Sequence, residues 1–373
     1  MHISDLHIGK RLYEYSLIED QIYILDQIVE AIKEEEIDGL LIAGDVYDKS
    51  VPSAEAVRIL DRFLTKVADL QVPIFMISGN HDSAERTAFG SQLMKKRQVY
   101  ISPVYDGKLE KISLQDEYGI VDIYLMPFLK PAMVRHALPE EEIETYEDAI
   151  KAALKQMKVE EGHRNILVAH QFVIGAKKCE SEEISIGGVD QVGVDIFDAF
   201  DYVALGHIHS PQKIGRDTVR YCGTPLKYSF SEEKQKKSIC IIEMKEKGEV
   251  ELRFHPLIPK RELRTIKGTY EELMEKGRYM GKEKEDYLQV ILTDEDDIID
   301  GLQKLRTIYP KIMHLEYDNK RTRAGMDLGE AAIVEKKSEL ELIQEFYEQQ
   351  NQKPMGKEQE EFIQEILESL MEG

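Results

Sequence analysis

An α/β fold built on mixed sheets with parallel members is predicted for this 373-residue chain, and three observations predict it. Short apolar runs alternate with segments of helical periodicity, the pattern of strand, helix, strand units. Several runs are apolar throughout, as strands buried on both faces are. Each then ends in a small group of polar residues: Asp5-Leu6-His7, Gly44-Asp45, Gly79-Asn80-His81-Asp82, Ala169-His170 and Gly206-His207-Ile208-His209. Sites in such sheets form at the carboxyl ends of the strands.

Met1 to Ser4 is a short lead into Asp5, so the first strand is expected to be abbreviated or to start upstream. From Leu17, the positions Ile18, Ile22, Leu25, Val29 and Ile32 step by four and three and mark one face of an amphipathic helix. Gly39 to Ala43 is the next strand, Ser53 caps a helix running to about Ala68, and Val72 to Ile77 is a third strand. Further strands are expected at 100–104, 121–127, 165–169 and 202–205, with a helix from Thr145 carrying Tyr146, Ala149, Ile150, Ala153, Leu154 and Met157 on its apolar side. Between His170 and Tyr202, the stretch with Glu180, Ser181, Glu182 and Glu183 reads as a solvated surface loop. Strands at 219–222, 238–244 and 249–255 follow, the last two joined by a hairpin at Glu246-Lys247-Gly248.

Near Pro259 the character changes. Strands at 261–266, 286–292 and 311–317 and helices at 270–276 and 296–308 describe a small α/β unit. Asn319 to Glu330 lacks apolar periodicity and reads as a linker. Two short helices are then expected, one marked by Leu340, Ile343, Phe346 and Tyr347, the other by Phe362, Ile366, Leu367 and Leu370. Helices this short need a partner for their apolar stripe, and docking on another protein is the favoured use. The division expected is 1–260, 261–318 as a cap, 319–337 as linker and 338–373 as helical tail.

Composition excludes several classes. Three widely spaced cysteines, Cys179, Cys222 and Cys240, make neither a disulfide framework nor a thiolate zinc site, which fits a reducing cytoplasm. No leader pattern and no apolar run of membrane-spanning length occurs. A formal charge of −22 argues against a protein that holds nucleic acid mainly through a basic surface. The charge is uneven, however, with ten acidic and two basic residues from Glu339 to Gly373, so a nucleic-acid substrate is not excluded.

Chemistry is carried by the strand ends, which hold five of the ten histidines. In an extended segment alternate residues share a side, so His207 and His209 face one site while Ile208 turns into the core. Asp5, His7, Asp45, Asn80, His170, His207 and His209 form a candidate ligand set of oxygen and imidazole donors without thiolates. Such a set suits manganese, iron, zinc or similar metals. Seven ligands exceed one tetrahedral ion and suit two ions about 3.5 to 4 Å apart sharing a carboxylate, an arrangement used for displacement at phosphorus. His2, His136, His163, His255 and His314 lack this spacing and read as packing or surface residues. Lys10, Arg11, Lys95, Lys96, Arg97, Lys177, Lys178 and Lys227 could meet phosphate but as a class are usually solvated.

In order along the chain, Asp5-x-His7, Gly44-Asp45-x-x-Asp48, Gly79-Asn80-His81-Asp82, His170 and Gly206-His207-x-His209 resemble the five-part signature of the calcineurin-like metallophosphoesterases. The resemblance implies a sandwich of two mixed sheets flanked by helices. It implies one metal on Asp5, His7, Asp45 and His209 and a second on Asp45, Asn80, His170 and His207, with Asp45 bridging. It implies that His81 meets the phosphate and protonates the leaving oxygen, and that the Asp48 carboxylate orients His81. Residues 2–10, Ala43 to Asp48 and Gly223-Thr224-Pro225, with the cap and tail, resemble the branch of bacterial DNA double-strand-break repair nucleases. That branch implies manganese, exonuclease action on duplex ends from the 3′ side, endonuclease action on single strands and hairpins, and a homodimer joined through the helices at 53–68 and after Glu85. It also implies a heterotetramer with an SbcC-type, SMC-like ATPase bound by residues 338–373. A phosphomonoesterase or cyclic-nucleotide phosphodiesterase is the alternative; a scaffold without chemistry is disfavoured, since burying so many polar groups unpaired is costly.

Overall fold

A computed structural model describes residues 1–182, 191–279, 281–320 and 322, together with 340, 343, 344, 346–348, 354–357, 359, 360, 362 and 363. The chain divides into two compact units: Met1–Ile291 with Ile299–Glu316, and Leu292–Ile298 with Tyr317–Gly373.

The first unit holds two mixed sheets, as the family resemblance implies, and each has six strands. One runs Val250–Pro256, Ser238–Met244, His2–Ile3, Leu40–Ala43, Ile74–Ile77, Val99–Ile101, and its last four members are parallel. The other runs Gln212–Ile214, Arg216–Tyr221, Tyr202–Gly206, Arg164–His170, Gly119–Met126, Glu110–Asp116, with a parallel middle and antiparallel edges. The first strand, His2–Ile3, is two residues long in this sequence.

Alternation along the central strands explains the layering. Leu41, Ala43, Phe75 and Ile77 face Ile123, Leu125, Val168 and Ala204 to form the apolar layer between the sheets. Leu40 and Ile42 point the other way, onto Ile24, Ile28, Val29 and Ile32 of the helix Ile18–Glu34 and onto Ile59, Leu60, Phe63 and Val67 of the helix Ala54–Asp69. Ser53 caps the latter by accepting from Ala56 N–H. On the far side, the helix Tyr146–Lys155 buries Ala149, Ile150 and Ala153 behind a reciprocal Thr145 and Asp148 capping box. Every strand that brings a polar cluster to its end is thus clamped on both faces.

Several elements differ from expectation, among them the short strand Gln212–Ile214 at the edge of the second sheet. Glu110–Asp116 is a strand that its charge conceals: it is an edge, mostly solvated, and pairs with Gly119–Met126 through the two-residue turn Glu117-Tyr118. The helix expected at 296–308 is confined to Gly301–Arg306, entered at Asp300 with φ +55°. Pro131–Ala137 is an additional helix that starts on its proline. The strands Leu263–Gly268, Tyr287–Leu292 and Ile312–Tyr317 make a three-stranded sheet.

In the second unit, residues 340, 343, 344 and 346–348 and residues 357, 359, 360, 362 and 363 are helical, in agreement with the two short helices expected. Gln344 Nε2 donates to Glu360 Oε1 at 3.1 Å and Gln359 Nε2 to the Tyr347 hydroxyl at 3.1 Å, so the two helical stretches lie side by side. Ile366, Leu367, Leu370 and most of the linker lie outside the described residues. Among the described residues, no helix is long and apolar enough to cross a membrane.

Candidate metal centre

The strand ends of both sheets meet at one place, and turning out of a strand within one residue requires unusual backbone. Asp5, His7, Asp45 and His207 adopt φ of +52°, +43°, +48° and +102°. Side chains other than glycine rarely enter this region, at a cost of about 1–3 kcal/mol each, and structures retain it chiefly at functional sites. The backbone is held there by Asp5 N–H to Gly44 O at 3.0 Å and His7 N–H to Asp45 O at 2.9 Å.

All seven expected donors converge. Nε2 of His7 lies 3.2 Å from Nε2 of His209. Asn80 Oδ1 lies 3.0 Å from His170 Nε2 and 2.9 Å from His207 Nδ1. Asp45 Oδ2 sits between the two groups, 3.3 Å from His170 Nε2 and 3.7 Å from His7 Nε2. Ligand atoms of Asp5, His7 and His209, and likewise of Asp5, Asp45 and His170, all lie within 4.8 Å of one another. Ile208 is buried in the core between its two histidines, as alternation predicts, although the strand itself ends at Gly206.

Electrostatics follow from burial. Burial lowers His207 to about 3 and His7 well below the usual imidazole value, favouring the neutral ring in both. Burial acts the same way on His170, but the Asp45 carboxylate overrides it and lifts His170 to about 9. Burial raises the Asp5 carboxyl; for Asp45 burial is outweighed by His170, His7 and His81, which hold it well below the carboxylate range. The residues fit divalent cations: ring nitrogens and carboxylate oxygens gather in groups of three within 4.8 Å of one another, and the buried Nδ1 of His7 has no hydrogen-bond partner.

His81 and Asp48 lie beside this set, with His7, as a further cluster of close donors. The Asp48 carboxylate, expected to orient His81, turns elsewhere: it takes Lys10 Nζ at 2.8 Å and lies 3.8 Å from His7 Nδ1. His81 Nδ1–H donates instead to the main-chain carbonyl of Asp48 at 3.0 Å. The spacing of three residues thus places the right residue with the wrong atom.

Supporting residues escaped the sequence reading. Asp82 accepts from Val46, Tyr47 and Gly79 N–H at 2.9–3.0 Å and ties two strand-end loops together. Gln21 bonds Leu6 O, His7 O and Gly9 N from the first turn of its helix. Ser181 and Glu182, expected in a solvated loop, reach His209 instead. Asp82 stands in the Gly79-Asn80-His81-Asp82 group, which gave it no role, and no motif spacing signals Gln21, Ser181 or Glu182. The remaining histidines are elsewhere: His2 is buried against the Tyr202 hydroxyl, His163 pairs with Asp122, His255 with Glu35, His314 with Glu316, and His136 is exposed.

Two sheets that deliver nitrogen and oxygen donors from their strand ends define a class of phosphate-ester hydrolase. Residues 1–211 match the model of the calcineurin-like phosphoesterases, and the chain belongs to that family. Residues 259–351 match the Type 5 capsule protein repressor C-terminal domain. Over 379 aligned positions the chain is 34% identical to the SbcD component of the nuclease SbcCD from Staphylococcus epidermidis, covering 100% of this chain and 98% of that protein, which places it on the SbcD line of the family. A solved dimetal phosphatase from Danio rerio matches with 10% identity and a TM-score of 0.38, over 69% of this chain and 95% of its own.

Proposed function

We propose that the chain is the manganese-dependent DNA nuclease component of a cytoplasmic double-strand-break repair complex, cutting phosphodiesters from duplex 3′ ends and within single strands and hairpins. The convergence of Asp5, His7, Asp45, Asn80, His170, His207 and His209 beside His81 carries the hydrolase part of this reading. The full-length relative, named as part of a nuclease, supports DNA as the substrate.

Asp5, His7, Asp45 and His209 would hold one cation and Asp45, Asn80, His170 and His207 the other. Two bound cations would supply charge stabilisation to the phosphoryl oxygens and an acidified water for in-line attack. The chain's own residues do the rest. His170 Nδ1–H is spent on the Ala43 carbonyl at 2.8 Å, which turns Nε2 toward Asp45 and Asn80. His81, anchored through Nδ1, presents Nε2 to the departing oxygen and delivers its proton there.

Residues 261–318 serve as the cap in this reading, and 338–373 dock an SbcC-type, SMC-like ATPase. Phe346 and Phe362, 63% and 62% exposed on the two helical stretches, supply apolar contact of the kind docking helices use. Phe89 and Leu93, 83% and 75% exposed after Glu85, support pairing of two copies within a heterotetramer. The deciding experiment is cleavage of end-labelled hairpin and linear duplex DNA with Mn²⁺, Mg²⁺ or chelator, with and without the ATPase. Manganese-dependent cutting broadened by ATPase and ATP is expected; hydrolysis of small phosphate esters with no DNA cut under any condition refutes it.

A further inference from the structure

His209 is gripped at every polar atom other than Nε2. Its N–H donates to Glu182 Oε1 at 2.6 Å, and its carbonyl accepts from Lys237 Nζ at 3.0 Å and Thr224 N at 3.2 Å. Ring Nδ1 lies 2.6 Å from Ser181 Oγ. Beyond the serine the chain of bonds continues: Ser181 Oγ donates to Glu232 Oε1 at 2.6 Å, and Glu232 Oε2 receives Lys237 Nζ at 2.6 Å. Glu182, Thr224, Glu232 and Lys237 are all buried.

Proton counting fixes the direction of this relay. Glu232 faces the Lys237 ammonium, so it stands as a carboxylate and only accepts. Ser181 owns one hydroxyl proton, and it goes to Glu232. The serine oxygen must then accept from His209 Nδ1–H, which leaves the ring's lone pair on Nε2. Nε2 is the atom that faces His7 Nε2 within the donor cluster.

We propose that Ser181 and Glu232 are positioning residues for cation binding by His209, fixing its tautomer and ring plane through the relay from Nδ1 to Lys237. The inference rests on the reading of His209 as a ligand. A network that served only folding would have no need to terminate on a ring nitrogen whose opposite atom enters the cluster. Partners of this kind raise the basicity of a ligating imidazole and hold its orientation, and their loss weakens ion affinity about 10- to 100-fold.

Ser181→Ala isolates the relay, because it removes the middle oxygen and leaves the Glu232 and Lys237 pair in place. The test is calorimetric titration of the ion-free, full-length protein with MnCl₂, beside thermal unfolding of the same ion-free samples. The expected result is an affinity loss of about 10- to 100-fold at one site in Ser181→Ala, an unchanged ion-free unfolding midpoint, and recovery of affinity in Ser181→Thr, which keeps the hydroxyl. Unchanged affinity in Ser181→Ala, while His209→Ala loses an ion, overturns the inference alone. A fall in ion-free stability that accounts for the affinity loss and is not rescued by Ser181→Thr also overturns it. Should His209→Ala bind both ions as the parent does, the reading of His209 as a ligand falls, and the inference falls with it.

Discussion

At the scale of single residues, His81 and Asp48 separate two accounts of one signature. If the Asp48 carboxylate oriented His81, removing its charge would cost as much as removing the imidazole. With the main-chain carbonyl in that role, the side chain pairs with Lys10 and lies beside His7 Nδ1 rather than holding His81. His81→Ala is therefore expected to lower DNA cleavage about 10²- to 10⁴-fold with both ions retained by metal analysis. Asp48→Asn is expected to stay within about tenfold of the parent, roughly 1.4 kcal/mol in the barrier. Equal losses in the two variants would restore the carboxylate to the orienting role. His2 makes a separate, ion-independent prediction. Burial lowers it from 6.5 to about 3, so between those values the unfolded chain takes up a proton that the folded chain refuses. Stability contributed by His2 is thus complete above pH 6.5 and lost as pH falls. Between pH 6.5 and 5 the loss is on the order of 2 kcal/mol. Denaturant midpoints at the two pH values should converge in His2→Asn, and an undiminished slope would contradict this assignment.

At the scale of elements, the centre depends on how closely strand ends cross. A Cβ on Gly206 would lie 1.9 Å from Ala43 O and 2.7 Å from His170 Nδ1; one on Gly79 would lie 2.1 Å from Asp45 Oδ1. Both neighbours are rigid, one a carbonyl that orients His170 and the other a carboxylate of the donor set. Gly206→Ala should lower stability by about 3 kcal/mol and abolish retention of both ions, read by unfolding and metal analysis; an ion-replete, stable variant would show the crossing to be looser than described. This packing explains what the sequence reveals and what it hides. Strands such as Leu40–Ala43 and Ile74–Ile77 are legible because burial on both faces demands unbroken apolar runs, and their ends are legible because donors follow at once. The left-handed backbone at Asp5, His7, Asp45 and His207 leaves no trace, since Asp and His are common in every loop. Ser181, Glu182 and Glu232 are equally silent, because contacts between residues 27 to 51 positions apart have no periodicity to read. Edge strands fail for the opposite reason: Glu110–Asp116 is solvated on one face and reads as loop.

At the scale of the molecule, the first question is how a chain of charge −22 handles a polyanion. Part of the negative charge is internal to the centre, where bound cations would offset the carboxylates of Asp5 and Asp45. Much of the remainder is placed far along the sequence, with eight net negative charges between Glu339 and Gly373. An acidic segment carrying exposed Phe346 and Phe362 suits a protein partner better than DNA, since it would repel phosphates while offering aromatic anchors. Affinity for DNA ends would then reside in the centre and in the partner rather than in the tail. Deleting residues 338–373 should therefore abolish co-purification with the ATPase, leave the binding of two Mn²⁺ ions unchanged by calorimetry, and preserve cutting of short single strands by the isolated chain. The charge argument adds a second expectation: the truncated chain should bind duplex DNA no more weakly than the parent at low salt, where unscreened repulsion by the tail is greatest. Weaker DNA binding after the deletion would assign the tail to the substrate, and unchanged co-purification would remove it from the partner interface.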